Sequence, residues 1–387
     1  MIKPYIKAEG EYIISLRRYF HKNPEPSMEE YNTAIKIEEE LDANGIEYKR
    51  IGKTGVLGVI RGKKSSNKRI ILRADIDALR IQDLKEESYA SIKEGFMHAC
   101  GHDAHAAALL GAAKVLKSKE AELAGEIYLF FQQGEEFGQG ARVFISEGLL
   151  KDVDRVFGIH VASYIPVGQV AVTKGPINAS VDHFTITVKG QSAHVSTPQK
   201  GVDALYIASQ IVVNLQAIVS RQTDPIETVV VGIGVLRAGT AYNIVANEAV
   251  IEGTTRCFSK EARAKTNGSI AAIAKQLGAA YGAEVKLDFE DFASPLVNDE
   301  AVCDEIAVVA GDIVGAQNVV RQEKSLGGDD FAEYLLQVPG MYAFVGTGNK
   351  DKSNTMQPHH CGLFDIDEQG VLIAANLYVD YALQQLK

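Results

Sequence analysis

The sequence predicts an α/β protein whose mostly parallel sheet carries the chemistry, with a smaller ferredoxin-like α+β domain inserted into it. Three observations lead there. Apolar strand-like runs alternate with segments of helical periodicity through residues 1–179 and again through 292–387. Several of these strands run directly into acidic or imidazole side chains, where open α/β sheets keep their reactive groups. Residues 180–291 change texture, to period-two alternation in the order β-α-β-β-α-β.

The length of 387 residues favours two domains. Charged residues at 23% and hydrophobic residues at 46% fit a globular protein with a sizeable core. The net charge of -10 argues against nucleic acid or an anionic membrane as partner. No apolar run approaches a membrane span, and Met-Ile-Lys-Pro-Tyr-Ile lacks the apolar stretch of a signal peptide. Cys100, Cys257, Cys303 and Cys361 show no disulfide-framework spacing. The expectation is a reduced, cytoplasmic protein.

Taken in order, Ile6, Ile13, Leu16 and Phe20 give helical spacing that stops near Asn23-Pro24. Ser27-Met28-Glu29-Glu30 reads as a capping box opening a helix to Asn44-Gly45. Residues 55–60 and 69–72 read as strands, the second continuing into Arg73-Ala74-Asp75-Ile76-Asp77. Residues 97–105, Met-His-Ala-Cys-Gly-His-Asp-Ala-His, read as a loop before a helix from about Ala104 to Lys117. Gly101 lets the chain bend so that Cys100 and His102 aim at one point. A thiolate beside an imidazole suits a borderline-soft divalent metal.

The apolar strand at 125–131 ends in Glu135-Glu136, and a short strand at 155–159 ends in His160. The inserted domain reads as a strand at 182–188, a helix at 202–219, strands at 228–236 and 243–254, a helix at 260–281 and a strand at 284–289. Helices at 300–314 and 330–336, a strand at 341–345 and a helix from about Asp367 close the chain. His359 and His360 lie in the loop before that last helix.

Two divalent ions need a ligand between them and others on each side, and a cysteinate can bridge. His102, Glu136, His160 and one C-terminal histidine can complete two incomplete shells. Adjacent residues on an extended segment point opposite ways. One of Glu135 and Glu136 is therefore expected to bind metal while the other serves as general base. The same reasoning makes one of His359 and His360 a ligand. His98 and His105 flank the loop and are read as supporting residues.

Together these motifs resemble the aminoacylase and carboxypeptidase G superfamily of metallopeptidases. They are most similar to the branch of hippurate hydrolase, N-acetyl-amino-acid deacetylases and indole-acetyl-amino-acid amidohydrolases. The matching stretches are Arg-Ala-Asp-Ile-Asp-Ala-Leu, Met-His-Ala-Cys-Gly-His-Asp-Ala-His, Glu-Glu, Gly-Ile-His-Val, Gly-Gln-Ser-Ala-His, Ala-Tyr-Asn-Ile-Val, Glu-Gly-Thr-Thr-Arg and Phe-Asp-Ile-Asp-Glu, from about residue 17 to 370. The resemblance implies a zinc-peptidase-like catalytic domain (1–179 and 292–387) and a lid and dimerisation domain (180–291).

It further implies metal ligation by Cys100, His102, Glu136, His160 and His360, the last because the family histidine lies four residues before an aromatic, here Phe364. Glu135 would be the general base, and Asp75 would orient the site, with Asp77 as second choice. His194, Asn243 and Arg256 would face the substrate from the lid, whose histidine can serve a partner subunit. The resemblance implies up to two divalent transition ions per subunit, zinc or manganese, with nickel or cobalt as alternatives. The expected activity is metal-dependent hydrolysis of a small N-acyl amino acid by a homodimer or tetramer. A dipeptidase or small carboxypeptidase is the alternative. The sequence departs from the branch at Gln133-Gly134 and Phe137 around the glutamates, at Gly328-Asp329-Asp330, and at Arg80, where proline is common.

Overall fold

The computed structural model describes residues 1–387, and the chain divides into two compact units. The larger comprises Met1–Gly175, Val297–Glu323 and Asp329–Lys387; the smaller comprises Pro176–Leu296 and Lys324–Gly328. These limits differ from the 180 and 291 expected from texture. Residues 324–328 join the smaller unit through backbone bonds of Ser325 with Ile177 and Ala179. Such a long-range pairing leaves no local pattern.

Helices α1 (Pro4–Ala8), α2 (Gly10–Lys22) and α3 (Tyr31–Ala43) lead into β1 (Glu47–Ile51), β2 (Gly55–Arg61) and β3 (Lys64–Asp75). After a long loop come α4 (His102–Ser118), β4 (Ala124–Gln132), α5 (Gly140–Ser146), β5 (Arg155–Pro166) and β6 (Val170–Ala171). Strand β7 (Gly175–Asn178) carries the chain into the smaller unit. There follow β8 (Val181–Lys189), α6 (Ala204–Ala217), β9 (Val229–Ala238), β10 (Glu248–Cys257), α7 (Lys260–Ala280) and β11 (Glu284–Ala293). Strand β12 (Leu296–Asn298) returns the chain to α8 (Glu300–Val314), β13 (Val319–Val320), α9 (Ala332–Leu335), β14 (Gly340–Gly348) and α10 (Gln369–Leu386).

The larger unit holds an eight-stranded sheet in the order β1-β2-β4-β3-β5-β14-β6-β13. Its centre, β4-β3-β5-β14, is parallel. Antiparallel pairs join β1 to β2, β2 to β4 and β14 to β6. The central strands are apolar runs, and every residue of β14 is buried, as a sheet covered on both faces requires. Helix α4 packs against α2 and α10 and is buried along most of its length, which its run of alanines and leucines allows.

The smaller unit is a four-stranded antiparallel sheet, β11-β8-β10-β9. Along β8 the alternate residues Asp182, Phe184, Ile186 and Val188 are buried, which is the period-two signal of a half-covered sheet. Asp203 caps α6 through the N–H groups of Leu205 and Tyr206, and Ser259 caps α7 through Ala262. No helix of the chain is long and apolar enough to cross a membrane.

Several local expectations give way to tertiary contacts. Ser27 and Glu30 form no capping box. Helix α3 starts at Tyr31, Met28 takes a left-handed conformation (φ 67°), and the Ser27 hydroxyl donates to Asp77 at 2.6 Å. Glu30 instead accepts from the Thr54 hydroxyl at 2.6 Å and from the Gly134 N–H at 2.9 Å. Strand β1 carries no alternation, since its first residues are exposed, and sequence reading passes over it. Strand β5 does not end at His160 but runs on to Pro166, held by its ladder with β14.

Candidate active site

The sheet brings the reactive residues of the larger unit to one place. Asp75 is the last residue of β3, and β4 ends at Gln132, just before Glu135 and Glu136. The β3 ladder with β5 ends at Arg73 and Gly158, while β5 continues beside β14 with His160 opposite Phe344. His160 thus lies two residues beyond the last β3–β5 pair. Gly101 takes φ 100° before α4, and a Cβ there would meet Val161 Cγ2 at 2.4 Å. Both facts demand glycine and fix the approach of the Cys100 and His102 side chains.

Donor atoms of Cys100, His102 and His160 all lie within 4.8 Å of one another, and so do those of Cys100, Glu136 and His360. Cys100 belongs to both groups. His102, Glu135 and Glu136 form a third group sharing members with each. This donor set fits a pair of divalent transition ions with one thiolate between them. The buried His102 Nε2 has no hydrogen-bond partner within the chain, an orphan that a cation would satisfy. Burial, and next the Glu136 carboxylate, push the Cys100 thiol up from its ordinary pKa, and a bound cation would reverse that shift.

Asp75, with Asp77 as second choice, was expected to orient the site; of the two, Asp77 lies nearer the candidate ligand His102. His102 Nδ1 faces Asp77 Oδ1 at 3.1 Å and stands 3.8 Å from Asp75. Asp77 also accepts from the Glu136 N–H at 3.0 Å, so one carboxylate aligns two candidate ligands. Asp75 is engaged elsewhere. It pairs with the fully buried Arg73 and with His105 Nδ1 at 2.5 Å, and His105 Nε2 accepts from the Val161 N–H at 2.9 Å. With both nitrogens used, His105 is a strut. Aspartates two apart on an extended segment look alike in sequence; the different partners of each are tertiary.

These partners predict different phenotypes. Asp77→Asn is expected to weaken metal binding about 10- to 100-fold with the fold intact. Asp75→Asn leaves buried Arg73 short of a counter-charge and is expected to cost about 3 kcal/mol of stability. Thermal melts and equilibrium dialysis against metal separate the two; a normal affinity in Asp77→Asn contradicts the assignment.

The adjacent histidines are also distinguished. His359 Nδ1 faces the Cys100 carbonyl at 3.1 Å, and its Nε2 accepts from the Ser163 N–H at 3.3 Å. Burial lowers its pKa to about 3. His360 takes a left-handed backbone (φ 60°), fixed by its N–H on the Ala99 carbonyl at 2.8 Å, and its Nε2 reaches Glu136 at 3.3 Å.

Glu135 is buried with a carboxylate oxygen 3.9 Å from His102 Nε2. Burial, then the Asp329 and Glu136 charges, hold its pKa well above the usual carboxylate value. Asp329 and Asp330 were seen in the sequence as a departure, without a role. Asp330 accepts from Arg73 at 2.9 Å, from Gln132 at 2.8 Å and from the Ala141 N–H at 2.9 Å, anchoring the floor of the site.

His194, Asn243 and Arg256 lie in the smaller unit. His194 bridges to Ile244, and the Val195 N–H donates to the Asn243 carbonyl at 3.2 Å, so two of the three are brought together. His194 Nδ1 engages the Ser196 hydroxyl at 2.7 Å. Arg256, on β10, has a buried Nη1 without a hydrogen-bond partner.

Comparison with known proteins places the chain in a family. The model of peptidase family M20/M25/M40 matches residues 71–384. The chain is 38% identical over 379 residues to thermostable carboxypeptidase 2 of Saccharolobus solfataricus, covering 97% of this chain and 95% of that one. It is 38% identical over 376 residues to N-acetyl-L-cysteine deacetylase of Bacillus subtilis, covering 97% and 88%. A solved dinuclear metal-binding peptidase of family M20 from Bacillus subtilis superposes with a TM-score of 0.85 at 34% identity, covering 98% of each chain. With this coverage and the donor groups around Cys100, the chain is a hydrolase that belongs to peptidase family M20/M25/M40.

Proposed function

We propose that the protein hydrolyses the amide bond of N-acyl amino acids, giving a carboxylic acid and a free amino acid, with two divalent transition ions in the larger unit. The observation that carries this reading is Cys100, common to two groups of donors, with Glu135 packed beside His102. Cys100, His102 and His160 would hold one ion, and Cys100, Glu136 and His360 the other. When bound, the ions supply Lewis-acid polarisation of the scissile carbonyl and water of lowered pKa. Zinc suits the thiolate and imidazole donors and manganese the carboxylate, with nickel or cobalt as alternatives.

The chain's own residues do the rest. Glu135, as a carboxylate, takes a proton from the hydrolytic water as the new C–O bond forms. It returns that proton to the amine nitrogen as the C–N bond breaks. Asp77 keeps the His102 ring aimed. His194 donates to the oxyanion, Asn243 contacts the substrate, and Arg256, with a free buried Nη1, pairs with the substrate carboxylate. The smaller unit acts as lid and dimerisation domain in this reading, and His194 serves either its own subunit's site or the partner's.

The test is a panel of N-acyl amino acids, the matching amides and unacylated dipeptides, assayed with zinc, manganese, cobalt and nickel. Free amino acid from the N-acyl substrates is the expected result. Release from dipeptides alone overturns it in favour of a dipeptidase. Arg256→Lys is expected to raise KM for the acids much more than for the amides, because lysine cannot form the bidentate pair. An equal effect on both removes the carboxylate clamp.

A further inference from the structure

One guanidinium lies beneath two of the segments that carry the proposed ligands. Arg17, on α2, is fully buried. Its Nε is 3.0 Å from Asp103 Oδ2, and its Nη2 donates to Asp365 Oδ1 at 2.7 Å. Asp103 directly follows His102, and Asp365 closes the loop that bears His359 and His360. A second link runs alongside. Lys85 Nζ donates to the Phe364 carbonyl at 3.0 Å and meets His21 Nε2 at 2.9 Å, while His21 Nδ1 faces the same Asp103 oxygen at 2.7 Å.

Burying this much charge is costly, and apolar packing would join α2 to its neighbours at lower cost. What the ions add is geometry. The planar fork of a guanidinium fixes two carboxylates at a set distance and angle, which neither lysine nor a hydrophobic contact does.

We propose that Arg17 is a positioning residue for the metal site: it sets the separation between the loop of Cys100 and His102 and the loop of His360. The proposal rests on the two-ion reading above. The group Cys100, Glu136 and His360 spans both loops, whereas Cys100, His102 and His160 need nothing from the later one. Loss of Arg17 therefore weakens one ion and spares the other. A purely structural role would not produce that split.

The test is calorimetric titration of cobalt(II) into metal-stripped protein, with thiolate-to-cobalt absorption recorded alongside. Wild type is compared with Arg17→Lys, Asp365→Asn and Arg18→Lys, each checked for folding by circular dichroism. Arg18 is the control, an exposed neighbour bound to Glu368. Arg17→Lys and Asp365→Asn are expected to weaken one of the two binding steps about 10- to 100-fold and leave the other unchanged. Arg18→Lys changes neither. A folded Arg17→Lys with both steps unchanged, or both weakened equally, overturns the proposal. Should Arg17→Lys not fold, Asp365→Asn, which removes one charge and keeps the shape, decides by the same criteria. Failure of both to fold makes the cluster a stability device and also overturns it. Wild-type protein that takes up fewer than two equivalents defeats the two-ion reading itself, a failure recognisable because it appears without any substitution.

Discussion

Glu135→Gln protein is expected to keep its metal and lose turnover by about 100- to 10,000-fold. Glutamine preserves shape and hydrogen bonding but cannot accept and return a proton. Glu135 is suited to that task because it is buried beside His102 and lies outside both donor groups that contain Cys100. Glu136→Gln is expected to behave in the opposite way, losing metal first, since Glu136 shares its donor group with Cys100 and His360. Metal analysis of both purified variants, with kcat and KM, checks the pair. Metal loss in Glu135→Gln with metal retained in Glu136→Gln would show that the two glutamates have exchanged roles.

Cys100→Ala is expected to lose both ions together, with activity falling by more than about 100-fold, because removing partners outside the ligand set already costs 10- to 100-fold. A cysteine that served one ion would leave the other in place. Cys100→Ala also lets the outcome be read apart from folding, since the thiol is small and buried, with His160 Nε2 3.4 Å away. Plasma emission analysis and circular dichroism on the same sample suffice. One ion per chain retained in the variant rejects the shared thiolate.

Much of the site was legible because residue chemistry and local backbone coincide. Gly101 between Cys100 and His102 announces a bend, and the structure shows both the positive φ and the missing space for a Cβ. The β8 alternation and the apolar runs of β3, β4 and β14 likewise follow from which faces are covered. What escaped depends on partners distant in sequence. Asp75 and Asp77 differ only in what reaches them, Arg73 and His105 in one case, Ser27 and His102 in the other. Ser27 and Glu30 carry a helix-capping pattern but are taken by Asp77 and Thr54. Strand β5 runs past His160 because β14 pairs with it, which no residue in β5 declares.

The shared thiolate is the claim on which the rest turns, and anomalous scattering from metal-loaded crystals tests it most directly. Two peaks about 3.5–4 Å apart, both bonded to Cys100 Sγ, one with His102 and His160 and the other with Glu136 and His360, are the expected result. A single peak, or two peaks of which one lacks Cys100, would contradict it.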